Sequence, residues 1–237
     1  MVKLNTFSIT ARCAQTGQLG VAVSTAVPGV GMLCPFVQAE VGAVASQSFV
    51  NPYLGIWGLE YLADGHSASE TLELLKQRDQ GLALRQFAIV DRHGGSAAFS
   101  GDGCDGWYGH LTGPDYAIAG NMLVGAETLN AMKDSFERSE HRPLVERLLE
   151  ALQAGQNAGG DKRGKQSAAV KVYSTEQYPL VDLRVDEHTD PVPELQRVYD
   201  VARETLLPLI GMLPSKAHPQ GLFNMEESRK RGLLQDH

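Results

Sequence analysis

The chain has 237 residues, 43% hydrophobic and 21% charged, which suits one large core or two small ones. Its 21 basic and 28 acidic residues leave a net charge of −7, which gives no support to a nucleic-acid partner. No run of 18 apolar residues offers a membrane span, and the odd, scattered Cys13, Cys34 and Cys104 argue against a disulfide framework or a zinc site.

MVKLNTFSIT lacks a signal-peptide hydrophobic stretch, so a reducing cytoplasm is the expected compartment. Thr6 to Thr25, TFSITARCAQTGQLGVAVST, then reads as a β-hairpin. Phe7, Ile9, Ala11 and Cys13 alternate with Thr6, Ser8, Thr10 and Arg12. The return run from Leu19 is small and apolar, as in a strand covered on both faces. One face of the hairpin therefore carries a row of hydroxyls. If buried, that row must be hydrogen-bonded or line a wet cleft. A turn centred near Thr16 would set Ser8 opposite Ser24, beside Thr6.

Val27 to Phe36 reads as a Gly/Pro-rich loop, and Gly42 to Ser48 as a third strand ended by Asn51-Pro52. Tyr53 to Ala63 has helical spacing, stopped by Asp64-Gly65. Ser67 to Glu70 is a capping box before Leu72, Leu74 and Leu75. Arg85–Asp91 and Ser96–Ser100 form a second hairpin around Arg92–Gly95. Residues 101–116 are glycine-rich. A short strand from Tyr116 ends in Gly120-Asn121-Met122, and Ala126–Arg138 is helical. Pro143 opens a helix whose apolar stripe runs to Leu152 and stops at Gly155. A polar glycine loop, Gln156–Gln166, leads to strands at Ser167–Tyr173 and Val181–Val185. Pro193 begins the last helix. A domain over residues 1–210 and a C-terminal arm over 211–237, with the charged run EESRKRG, are expected; the arm either packs on a second subunit or frays.

Antiparallel strand blocks alternating with helix pairs point to an α+β sandwich of three or four layers, not a doubly wound sheet. The strings TFSITAR, VPGVG…CPF, GAVASQ, GNML, GGDKRGKQSAA and DLRVD resemble the domain of unknown function 1028 family over residues 6 to about 200. That resemblance implies an N-terminal-nucleophile (Ntn) hydrolase-like fold, an αββα four-layer sandwich with antiparallel sheets. It suggests hydrolysis of an amide or related C–N bond in a small-molecule substrate.

In such enzymes a terminal residue's hydroxyl attacks an amide and its own α-amine serves as base, near its ordinary pKa of about 7.7–8.0. Thr6, at the start of the first strand, is the candidate nucleophile, with Ser8 and Ser24 as neighbours; threonine is also simply common in strands. Family members often begin Met-Thr, whereas five residues precede Thr6 here. Threonine-type Ntn sites also use a nearby lysine, and none lies between Lys3 and Lys76. Arg12 is six residues away on the strand, about 20 Å at roughly 3.3 Å per residue.

Asp161 and Arg163, in a loop whose glycines permit close approach, could clamp a substrate, with Gln166 and Ser167 at the strand's mouth; equally, the pair could only shape the turn. Asn121 could donate to an oxyanion or cap a helix. Gln47 and Asn51 could orient an amide or satisfy loop backbone. Cys104, six residues before His110, is a further nucleophile pattern, though a single cysteine more often fills core space. The histidines show no HExxH-like spacing, so no metal and no cofactor is expected. The alternative to an enzyme is a ligand-binding or assembly protein on the same scaffold. A homo-oligomer is expected in either case.

Overall fold

The computed structural model of the chain describes residues 3–4, 6–222 and 230. Contacts divide the chain into two compact units, residues 1–195 and 196–237.

The first unit opens with β1 (Lys3–Leu4), β2 (Thr6–Arg12), β3 (Leu19–Thr25), β4 (Pro35–Gln38) and β5 (Gly42–Phe49). Helices α1 (Pro52–Ala63) and α2 (Ala68–Arg78) follow, then β6 (Arg85–Asp91), β7 (Ser96–Ser100), β8 (Trp107–Gly113) and β9 (Tyr116–Leu123). Helices α3 (Glu127–Arg138) and α4 (Leu144–Asn157) lead to β10 (Ser167–Tyr173) and β11 (Val181–Val185). Helix α5 (Pro191–Thr205) runs on into the second unit, which also holds α6 (Leu207–Ile210). Beyond α6, Leu222 closes back on Met212 through a backbone hydrogen bond. The run EESRKRG lies, apart from Lys230, outside the described residues.

All strand pairs are antiparallel. One sheet has the order β1-β5-β6-β7, with β4 also on β5; the other has the order β11-β10-β3-β2-β9-β8. The first hairpin thus shares a sheet with β10 and β11, and the Arg85–Ser100 hairpin lies in the other, as its short apolar runs foretell. Helices α1 and α2 pack on the first sheet, and α3 and α4 pair, with α4 lying on β2 and β3.

The two sheets face each other across small side chains: Val21, Val23, Ala43, Ala45, Ala88, Ala117, Ala119 and Ala169, all essentially inaccessible. Larger residues face the helices, with Val44, Phe87 and Ile89 against Leu54, Leu62 and Leu75. Alternation within each strand sorts the two sets.

Four expectations shift. Strand β4 begins inside the stretch read as a Gly/Pro-rich loop, and β8 forms within the glycine-rich run 101–116, for which the sequence predicts no strand. Each carries proline or glycine at a sheet edge, where a missing donor or side chain is tolerated and the hydropathy signal is weak. Strand β9 continues through Asn121 to Leu123. Helix α4 passes Gly155 and ends at Asn157; Gly155 is a close approach, since a Cβ there would lie 2.7 Å from Met132 Cγ. Helix α5 starts at Pro191, two residues early, because first-turn amides have no intrahelical partner and proline sits there at no loss.

Beside β5 and β6, Asp79 ties three segments together. It accepts from Asn51 Nδ2 at 2.8 Å, Gly81 N at 2.7 Å and Arg85 Nε at 2.9 Å. Burial alone would raise its pKa; the hydrogen bonds and the Arg85 charge outweigh that and lower it below the usual carboxylate value of 3.8. A depressed folded pKa adds stability above the unfolded pKa and loses it as pH falls through the folded value. Asp79→Asn should therefore cost about 2 kcal/mol in urea unfolding at pH 7. The gap from the unsubstituted protein should close as pH drops below about 4. A gap that persists unchanged at pH 3 would show that the charge is not the cause.

Candidate functional site

At one end of the inter-sheet layer the alanines give way to polar residues. Strand β2 brings Thr6 and Ser8, β3 brings Thr25, β10 brings Ser167, and β9 brings Asn121; β5 and β6 bring Gln47 and Gln86 from the facing sheet. The register places them together: Thr6 pairs with Thr25, Thr25 with Ser167, Phe7 with Gly120, and Gln47 with Gln86. All seven are buried, at 1% exposure or less.

Amide side chains join the sheets there. Ser8 Oγ donates to Gln47 Oε1 at 2.6 Å, and Gln47 Nε2 donates to Gln86 Oε1 at 2.8 Å. Asn121 Nδ2 donates to the same Gln86 oxygen at 2.8 Å. Gln86 Nε2 lies within bonding distance of Gly120 O (2.9 Å) and Ser100 Oγ (2.8 Å). Ser100 in turn meets His110 Nδ1 at 3.0 Å. Burial lowers the pKa of that imidazole.

Two polar atoms in this end are left over. Thr6 Oγ1 and Asn121 Oδ1 are inaccessible and make no hydrogen bond. A buried polar atom without a partner costs roughly 1–3 kcal/mol, so each asks for a role. Strain accompanies them. Ser48, next to Gln47, has φ +69°, and Met122, next to Asn121, has φ +57°. Non-glycine residues in the left-handed region inside strands persist only where surrounding structure holds them.

The hairpin register differs from the expected one. Cys13 N bonds to Gln18 O, and Gly17, at φ +73°, closes the turn, so its centre lies between Gln15 and Thr16. That half-residue shift in centre moves every partner by one. Ser8 faces Val23, and Ser24 faces Phe7 on the helix side, where its hydroxyl donates to Ser167 O at 3.2 Å. No Ser8–Ser24 pair forms, and Ser24 leaves the neighbourhood of the Thr6 hydroxyl.

The glycine loop docks at the Thr6 end of the sheet. Val124 N bonds to Gly160 O, Asp161 bridges to Leu123, Lys162 N bonds to Met122 O, and Gln166 N bonds to Thr25 O. Within it Asp161 holds Arg163 through Nε at 3.1 Å and Nη2 at 2.6 Å, with the Asp161 side chain almost fully buried. The carboxylate is spent on the turn. Ser167 Oγ donates to Val27 O at 2.6 Å and accepts from Val30 N at 3.1 Å, fastening the loop after β3. Asn51 caps α1, accepting from Tyr53 N, and donates to Asp79. Cys104 Sγ donates to Arg85 O at 3.5 Å, and burial raises its pKa; His110 is engaged with Ser100.

Sequence reasoning passed over Gln86, Thr25 and Lys162. Gln86 is the one amide among the inward positions of an apolar strand, and that break in alternation was its signal. Lys162, a cation that Asp161 and Arg163 overshadowed, is exposed; its backbone meets Met122 O, and its Nζ lies 3.1 Å from where a Gly106 Cβ would be.

Residues 6–195 match the model of a family of unknown function, DUF1028. A crystal structure of a DUF1028 protein from Silicibacter pomeroyi superposes with a TM-score of 0.85 at 30% identity, covering 92% of this chain and 99% of that one. Two alignments are far weaker. Anbu (ancestral beta-subunit) from Yersinia bercovieri gives a TM-score of 0.38 at 14% identity over 88% of this chain and 98% of that one. An Anbu (Gly-1) mutant from Hyphomicrobium sp. strain MC1 gives 0.40 at 12% over 84% and 94%. No curated protein matches the sequence. Family model and superposition agree over nearly the whole first unit, and the chain belongs to the DUF1028 family.

Proposed function

We propose that this chain is an Ntn-type amidohydrolase on an αββα sandwich, acting on a small-molecule amide or related C–N bond. The observation that carries it is the buried, unpartnered hydroxyl of Thr6 at the start of β2, set among Gln47, Gln86 and Asn121. With residues 1–5 removed, the α-amine of Thr6 takes the hydroxyl proton as Oγ1 attacks the substrate carbonyl, hands it to the nitrogen as the C–N bond breaks, and then activates the water that releases the acyl group from Oγ1. Asn121 uses one Nδ2 hydrogen on Gln86 and keeps a second that could meet the oxyanion. Gln47 orients the amide. Ser8 positions Gln47. Asp161, Arg163, Gln166 and Ser167 shape the wall rather than touch the reacting bond.

One observation favours a second reading, a ligand-binding or assembly protein on this scaffold, as a homo-oligomer. Lys3 and Leu4, ahead of Thr6, pair with Phe49 and Ser48 in the first sheet. Thr6 is then a peptide-bonded residue with no free amine.

The two readings separate on one comparison. A chain starting at Thr6 should turn over members of a panel of small amides and ureides, while the full chain stays inert until intact mass shows loss of residues 1–5. If neither form acts on any member while both remain folded, the binding reading replaces the enzyme. Among the described residues no helix is long and apolar enough to cross a membrane.

A further inference from the structure

The opposite end of β2, about 20 Å from Thr6 at roughly 3.3 Å per residue, borders a cavity of about 250 Å³. Arg12 and Cys13 reach it from the end of β2, Asp115 from the β8–β9 turn, Glu137 and Glu140 from α3 and just beyond, and Arg147 from α4.

Arg147 is the unusual member. It is 6% exposed. Its guanidinium lies 3.9 Å from the centre of the Phe136 ring, and Nη2 donates to Phe136 O at 3.2 Å. That bond braces the last turn of α3 and accounts for one nitrogen. Nε is inaccessible and has no partner, so it does not open on the cavity, and among the described residues no carboxylate forms an ion pair with the side chain. Arg12 differs, because its Nη1 is paired with Asp115 at 2.8 Å. Burial is the largest influence on this guanidinium and, against the longer-range pull of Glu140 and Asp115, lowers its pKa, so a closer anion would be favoured there.

Charge narrows the class. Two arginines face Asp115, Glu137 and Glu140, which leaves the wall at one net negative charge. Phosphate, sulfate or a dicarboxylate would deepen that excess, and so would a plain carboxylate. A ligand carrying its own cation would not. Glu140 is exposed at the rim, and Glu137 also accepts from Tyr116 Oη at 2.7 Å, so both carboxylates lie where an ammonium can reach them.

We propose that this cavity binds a small free amino acid, its carboxylate on the Arg147 guanidinium and its ammonium against Glu137 and Glu140. The site is independent of Thr6 and of any reaction there.

Cys13 reports on occupancy. Burial alone would raise its thiol pKa, but hydrogen bonds with Thr16 and the Gln15 backbone, backed by the Arg147 charge, lower it. Burial pushes the Cys34 thiol up to about 12 and also raises Cys104. Iodoacetamide should therefore take Cys13 first. In the full-length protein, L-alanine or L-leucine at about ten times Kd leaves roughly one site in ten free and slows Cys13 alkylation about tenfold. Propionate and ethylamine at the same concentration should leave the rate within about twofold. Peptide mass spectrometry reads each cysteine separately. Glu140→Gln, an exposed change that leaves the core intact, should weaken the protection by L-alanine about fivefold, on the order of one surface ion pair. The proposal is overturned if neither amino acid protects Cys13, if propionate protects as well as L-alanine, or if Glu140→Gln leaves protection unchanged.

Discussion

Gln86→Leu should cost about 4 kcal/mol or more in urea unfolding at pH 7, a large share of the roughly 5–15 kcal/mol that holds such a domain. Leucine fills nearly the same volume, so the loss is not a cavity effect. It comes from what is left behind. Gly120 O loses its donor, and the Gln47 and Asn121 amides lose their shared acceptor. Each buried orphan costs roughly 1–3 kcal/mol, and three arise at once. Gln86→Glu should not rescue. It keeps an acceptor for Gln47 and Asn121 but removes the donor to Gly120 and buries a charge among neutral, inaccessible side chains. An unfolding free energy within 1 kcal/mol of the unsubstituted protein would mean that water already fills this end and the amide chain is dispensable.

How far the sequence reveals this arrangement depends on the kind of signal. Strands β2, β3, β5, β6, β7, β10 and β11 and helices α1 to α4 were legible because period-2 and period-3.6 patterns report burial directly. The β4 and β8 edges were not, because an edge strand answers to solvent on one side and tolerates Pro35, Gly109 and Gly113. Sheet membership was legible from strand length and spacing. The register was not, since Gly17 decides the turn's centre and only backbone geometry shows which amide it closes on. That one shift separates Ser24 from Thr6, though both hydroxyls look alike in the sequence. Asp161 and Arg163 lie in sequence where a substrate clamp would, yet their short separation lets them satisfy each other. Gln86 is the opposite case. Its break in the apolar alternation of β6 is visible in the sequence, but only the facing sheet makes it a hub.

Thr6→Val should abolish any amidase activity of a chain starting at Thr6 while leaving stability unchanged or raised by about 1 kcal/mol. A threonine kept for structure predicts the reverse order of effects. Thr6 Oγ1 is inaccessible and bonds to nothing, so folding strips it of water with no return. Valine keeps the branched shape and its packing, and a methyl takes the hydroxyl's place without that cost. Thr6→Ala removes the γ-methyl as well, and the small cavity should offset the gain, leaving stability within about 1 kcal/mol. Thr6→Ser keeps a nucleophile on a less constrained side chain and should keep measurable turnover. Stability and activity therefore move in opposite directions at one residue. If Thr6→Val instead lowers stability by 2 kcal/mol or more, the hydroxyl has a structural partner such as a bound water. If a chain starting at Thr6 turns substrate over equally well with valine there, the nucleophile lies elsewhere. Ser8 is then the next hydroxyl on the same face, but its donation to Gln47 at 2.6 Å must break before it can attack.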